Sequence, residues 1–149
     1  MTKKILAIAS AGGHWQQLMA LRPAFEPNTV EFATTLRGLP DQYGIGTYAT
    51  LADCNRDTPI KALRCAFQLA WLIVKQRPDV VVSTGALPGV IGLAIGRIMR
   101  AQTIWVDSVA NAEEMSSSGR MAKRFAKLCL SQWEAPARAA GANYMGSIL

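Results

Sequence analysis

Residues 5–18 read ILAIASAGGHWQQL, an apolar run that halts at two adjacent glycines and a histidine and then resumes with Trp15 and Leu18 spaced as on one face of a helix. A five-residue apolar run bounded by turn residues has the look of a strand buried on both faces of a parallel sheet. The helix that follows is predicted over His14–Leu21, with Trp15, Leu18 and either Met19 or Leu21 on its inner side. Glycines between such a strand and helix let the backbone turn tightly and expose its N–H groups, while the helix brings the positive end of its dipole. That combination suits an anion such as phosphate or diphosphate. His14 adds a donor to the anion or a base for a neighbouring hydroxyl. The plainer reading is a tight turn with a capping or packing histidine.

The same alternation recurs along the chain. TVEFATT (29–35) reads as a second strand, followed by an irregular Gly/Pro-containing stretch from Arg37 to about Gly46. The clearest helix has Thr58 as its N-cap and Pro59 at its first position, and it ends before Arg77-Pro78. DVVVST (79–84) is another buried strand and stops at Gly85, in GALPG. A glycine-dotted apolar helix is predicted from about Val90 to Met99. TIWVDS (103–108) is a strand, NAEEMSSSG (111–119) a polar loop, Arg120–Lys127 a helix, LCLSQW (128–133) a strand and ANYMGSIL (142–149) a short extended segment. Strand and helix alternate throughout, predicting an α/β fold, a Rossmann-like doubly wound parallel sheet in one domain spanning residues 1–149. The loops SAGGH, STGALPG and DSVANAEEMSSSG then share the carboxyl edge of the sheet, where such folds bind ligands.

Composition narrows the partners. The chain has 149 residues, enough for one core that buries about two thirds of the unfolded surface. Half the residues are hydrophobic and mean hydropathy is +0.15, so some apolar surface is expected to stay exposed. A net charge of +6 and a pI near 9.6 favour polyanions: nucleic acid, anionic headgroups or phosphorylated small molecules. Nucleic acid fits poorly, because the aromatics are not interleaved with the basic residues and no nucleic-acid module is present. Cys54, Cys65 and Cys129 form no CxxC pair and only one histidine accompanies them, so reduced cytosolic thiols and no metal site are expected. Neither a signal-peptide core nor an apolar run of about 18 residues occurs. GxGxxG, the P-loop, GxSxG and DxD are all missing.

CAFQLAWLIV (65–74) is apolar almost all round and flanked by Lys61, Arg64, Lys75 and Arg77. Such a helix is either sandwiched between sheet and partner, or core on one side and membrane-facing on the other with Trp71 at headgroup level. The membrane reading assigns Phe67, Trp71, Ile73, Val74 and Lys75 to the contact. ALPGVIGLAIGRIMR (86–100) is a second such segment. Arg120, Lys123, Arg124 and Lys127 form a basic face, read either as solvated surface or as an attraction for anionic lipid.

SAGGHWQQL, RPDVVVSTGALPG, VDSVANAEEMSSSGR and LSQWEAPARAAGANYMGSIL, in this order, resemble one family: the acceptor-side subunits of split glycosyltransferases, which include the fourteenth asparagine-linked-glycosylation protein and PssD-like polysaccharide-biosynthesis proteins. A similar Gly-Gly-His loop and glycine-rich loop occur in the N-terminal half of MurG. The resemblance covers nearly the whole chain and implies the N-terminal, Rossmann-like domain of a GT-B glycosyltransferase. This domain holds a lipid-diphosphate-linked acceptor at the cytoplasmic face of the bacterial inner membrane, as a peripheral protein. The resemblance further implies that a separate donor-binding subunit binds the UDP-linked sugar, that the pair makes cell-surface polysaccharide, and that this chain would need no cofactor and be inactive alone.

Carried over, the resemblance makes His14 the catalytic base or a phosphate-orienting group. Ser10, Gly12, Gly13 and Gly85 would face the acceptor, with Asp107, Ser108, Asn111, Glu114, Ser116, Ser118 and Gly119 along the cleft. Trp133, Tyr144, Gly146 and the tail to Leu149 would meet the donor subunit, the tail standing where a fused enzyme crosses into its donor domain. Many members carry Glu-Ser then Ala-Arg where this chain has Asp107-Ser108 and Ala110-Asn111. The change removes a fixed cation at position 111 and implies a different acceptor or sugar.

Overall fold

In a computed structural model describing residues 1–148, the opening apolar run forms β1 (Lys4–Ala9) near the middle of a seven-stranded sheet. The order is β3-β2-β1-β4-β5-β6-β7, with β2 Thr29–Thr34, β3 Tyr48–Thr50, β4 Val80–Gly85, β5 Gln102–Val106, β6 Leu128–Ser131 and β7 Asn143–Tyr144. All six pairings are parallel. The helices are α1 (Gly13–Leu21), α2 (Pro59–Gln76), α3 (Leu87–Ile98), α4 (Ser117–Ala122) and α5 (Glu134–Ala140), and two 3-10 turns lie at Arg22–Phe25 and Pro40–Tyr43.

The period-2 alternation of β1 divides its side chains between two cores. Leu6 and Ile8 pack with Leu69 and Ile73 of α2 and Leu93 of α3, together with Trp105 and Met115. Ile5, Ala7 and Ala9 face the other way, onto Trp15 and Leu18 of α1 and onto Phe25 and Phe32. Trp15 meets the Phe32 ring edge-on, 5.9 Å between centroids. Each fully buried Leu or Ile contributes about 2 kcal/mol, so a strand covered on both faces anchors the molecule. Cys54, Cys65 and Cys129 are buried and free.

The doubly wound prediction is thus met, with corrections to its elements. Thr58 stands at the N-cap of α2, but its hydroxyl turns back into the preceding loop: it accepts from the Asn55 N–H at 2.9 Å and donates to the Asn55 carbonyl. α3 starts at Leu87 rather than near Val90, because Pro88 fits the first turn, where no intrahelical N–H is needed. α4 stops at Ala122 instead of running to Lys127. The chain beyond it is captured by β5: Thr103 Oγ1 donates to the Phe125 carbonyl at 2.7 Å, and the Lys127 N–H bonds to Thr103. β3 and α5 are additions that the sequence reading lacked; they have three and seven residues, too few to show a period.

Candidate functional site

The strand order reverses between β1 and β4, and the loops leaving these two neighbours stand at the edge where such sheets hold ligands. Their contact is specific. The β1–β4 register runs evenly from Ile5↔Val80 to Ile8↔Ser83 and then slips to Ala9↔Gly85, leaving Thr84 out of the ladder. This bulge turns both polar groups of Thr84 onto His14. The Thr84 Oγ1 hydroxyl donates to the His14 carbonyl at 2.6 Å, and His14 Nδ1 lies 3.1 Å from the Thr84 carbonyl. A carbonyl only accepts, so Nδ1 carries the proton of the neutral ring and Nε2 keeps its lone pair.

Gly85 completes the seat for the ring. With φ at +140°, it packs so closely that a Cβ there would lie 2.2 Å from His14 Nδ1. Gly12, at φ +82°, turns the chain into α1, and Gly12 and Gly13 are both exposed. α1 has no side-chain cap and no acid in its first turn, so its leading N–H groups and dipole face outward beside His14. Ser10 is buried, and its N–H donates to the Gly85 carbonyl at 3.3 Å, tying the two loops together.

The third loop, residues 107–116, crosses the carboxyl edge from α1 to α4. Asp107 is its keystone and is 1% exposed. Its carboxylate accepts from Trp105 Nε1 (3.0 Å), Asn111 Nδ2 (3.1 Å), the Ser116 N–H (2.9 Å) and Ser116 Oγ (2.6 Å). Asp107, Asn111 and Ser116 therefore bond to one another and shape the loop from below. Gly119 is buried against Asp107 and donates to Ser116 Oγ. Ser108 accepts from Gln17 Nε2 at 3.0 Å. Glu114 is exposed and pairs with Arg120, and Ser118 is half-buried on the α4 side.

Beneath the loop lies a polar bridge that the sequence reading missed. Gln17, on the apolar side of α1, and Gln132, just beyond β6, are 6% and 3% exposed and lie 2.6 Å apart from Nε2 of Gln132 to Oε1 of Gln17. Gln132 also donates to the Asp107 carbonyl and accepts from the Ile148 N–H, while Gln17 accepts from the Val109 N–H. The sequence signal was a glutamine between Trp15 and Leu18, where burial demands a partner. Trp133 is 41% exposed, with its indole N–H bonded to the Val109 carbonyl. Tyr144, on the edge strand β7, and Gly146 are exposed on the same C-terminal side, and Leu149 lies outside the described residues.

α2 exposes Ile60, Leu63, Phe67, Trp71 and Val74 at helical spacing, with Phe67 69% and Trp71 63% accessible. Lys75 is exposed with its Nζ 4.6 Å over the Trp71 ring, a cation–π contact. Ile73 does not belong to this surface: it is fully buried in the core between α2 and the sheet, a correction to the predicted membrane contact. Leu72 is buried beside it, and the next residue, Val74, points outward because one residue along a helix rotates the side chain by about 100°. Among the described residues no helix is long and apolar enough to cross a membrane.

No protein-family model and no curated protein sequence matches the chain. Solved structures do match. MurG of Acinetobacter baumannii superposes with a TM-score of 0.73 over 89% of this chain and 42% of its own, at 16% identity. A UDP-N-acetylglucosamine 2-epimerase of Rickettsia bellii gives 0.73 over 99% and 46%, at 12% identity, and a glycosyltransferase of Rickettsia africae 0.64 over 88% and 37%, at 16%. The class these define is a Rossmann-like domain of the GT-B kind. The chain spans less than half the length of each of these proteins, and what they share with it is the fold.

Proposed function

We propose that the chain is the acceptor-binding half of a glycosyltransferase: with a separate donor-binding subunit, it transfers a sugar from a nucleotide sugar, UDP-linked, to a lipid-diphosphate-linked acceptor in cell-surface polysaccharide synthesis. The observation that carries this reading is the clamp on His14. Thr84 holds Nδ1 as a donor, so Nε2 is free to take the proton of the acceptor hydroxyl as its oxygen attacks the anomeric carbon. The bond to the nucleotide diphosphate breaks, and the configuration inverts. The amides at Gly12 and Gly13 supply partial positive charge beside the reacting hydroxyl. The C-terminal side carrying Trp133, Tyr144 and Gly146 is assigned to the donor subunit. The exposed stripe of α2, ringed by Lys61, Arg64, Lys75 and Arg77, is assigned to peripheral attachment at the cytoplasmic face of the bacterial inner membrane.

The test is sugar transfer to a diphospholipid acceptor by the chain mixed with a donor-binding subunit, using wild type and His14→Ala. Turnover that requires both proteins and falls about 100-fold in the variant supports the reading. A second reading, a recruitment module that contributes no catalytic group, is favoured by the prominence of the α2 stripe. It predicts turnover insensitive to His14→Ala.

A further inference from the structure

We infer that the acceptor's diphosphate is held not at the glycine turn but in an arginine-lined groove between α4 and the loop before α2. This rests on the acceptor-binding reading above and assigns it a second, charged subsite. The groove, about 320 Å³, is lined by Arg56, Ser117, Arg120, Met121 and Arg124. A neighbouring hollow of similar size shares Arg56, Ser117 and Met121 and extends to Ala86 and Leu87 at the start of α3. Ala86 directly follows Gly85, the residue that seats His14.

Three observations give the groove its ligand chemistry. First, three arginines face a single lining carboxylate, Asp57. Among the described residues neither Arg56 nor Arg124 has a carboxylate partner, and Arg120 commits only Nη1, to Glu114 at 3.2 Å and to the Met115 carbonyl. Three guanidinium groups balanced only in part, by Asp57 and Glu114, repel one another, and a diphosphate, with several charges and acceptors matched to the planar fork, relieves this. Second, α3 begins there with no side-chain cap and no acid in its first turn, so the positive end of its dipole adds to the same field, although Pro88 carries no N–H and the Gly89 and Val90 N–H groups bond to the Ala86 carbonyl. Third, residues 10–14 contain no Lys or Arg, so the glycine turn has amides but no fixed cation to balance a diphosphate.

The layout matches the covalent order of such an acceptor. The apolar stripe of α2 starts at Ile60, four residues after Arg56; then come the arginine groove, the Ala86 hollow and His14. Lipid, diphosphate and sugar are connected in that sequence.

The experiment titrates inorganic pyrophosphate into the chain alone, followed by calorimetry and by 31P NMR, with Arg56→Gln, Arg124→Gln and the double variant. Arg138→Gln on α5 serves as the charge-matched control, and circular dichroism confirms folding. The expected result is saturable binding, weakened about tenfold by each groove variant, more by the pair, and unchanged in the control. Binding that does not saturate, or that weakens equally in all four variants, overturns the proposal. Vesicles of phosphatidylcholine with and without phosphatidylglycerol separate the other source of phosphate. Groove variants that lose vesicle binding yet keep wild-type pyrophosphate affinity place lipid headgroups there and also overturn it. In the complex with a donor subunit, the groove variants should raise KM for the acceptor with little change in kcat. Absence of transfer by the wild-type complex, with pyrophosphate binding as expected, defeats the glycosyltransferase reading and leaves the groove standing.

Discussion

In the proposed reaction a single imidazole carries most of the chemistry, and what surrounds it is open to substitution. Thr84→Val keeps the shape of the bulge and its carbonyl but removes the hydroxyl that fixes the His14 backbone. Loss of that one hydrogen bond should lower turnover of the assembled complex about fivefold. Gly85→Ala is more severe: its Cβ would fall 2.2 Å from Nδ1. Activity should drop as far as in His14→Ala while circular dichroism stays native; an active Gly85→Ala enzyme would remove the ring from the reaction. His14 could be found from the sequence because it is unique and follows two glycines after an apolar run. Thr84 could not. Its role comes from a slip in strand register between segments some 70 residues apart, which no local pattern encodes.

At the scale of the element, α2 shows what periodicity leaves unresolved. Its middle is apolar on every side, so the sequence identifies a helix without saying which residues face inward. Packing decides that: Cys65, Leu69, Leu72 and Ile73 are buried, while Phe67, Trp71 and Val74 are not. Substitutions should separate accordingly. Phe67→Ser and Trp71→Ser are expected to weaken binding to anionic vesicles about tenfold each and to leave the urea midpoint nearly unchanged. Ile73→Ala should instead destabilise the fold by about 2–5 kcal/mol, read as a lower urea midpoint, because it hollows the core. Vesicle binding that ignores Phe67 and Trp71 would assign the stripe to a protein partner. The cleft loops followed the same division. Their place on the carboxyl edge was evident from the alternation of elements, whereas the inward turn of Asp107 depends on the Trp105 indole and the α4 cap, contacts made only after the sheet assembles.

For the molecule as a whole, alternation of apolar strands and helices made the parallel sheet readable, but its outer strand β3 and last helix α5 are too short to announce themselves. Stability should respond to alkaline pH in one direction. Burial pushes the Cys65 thiol up to about 12 and Cys129 to about 11, the latter helped by Asp107. Unfolded thiols release their protons near 9 while the folded ones keep theirs, so the native state binds more protons between 9 and 11–12. Stability is therefore full below pH 9 and declines above it, which urea unfolding at pH 8 and pH 10 will show; equal midpoints would mean that the thiols are solvated. The sheet order carries a further consequence, for how the chain is made. β1 leaves the ribosome before the other strands of the sheet, yet its neighbour on one side, β4, begins some 75 residues later. Until Val80–Gly85 emerges, a growing chain already holding β1 and β2 displays an open hydrogen-bonding edge that is apolar from Ile5 to Ala9. Nascent lengths short of that point should be held by chaperones and released only once the fourth strand arrives.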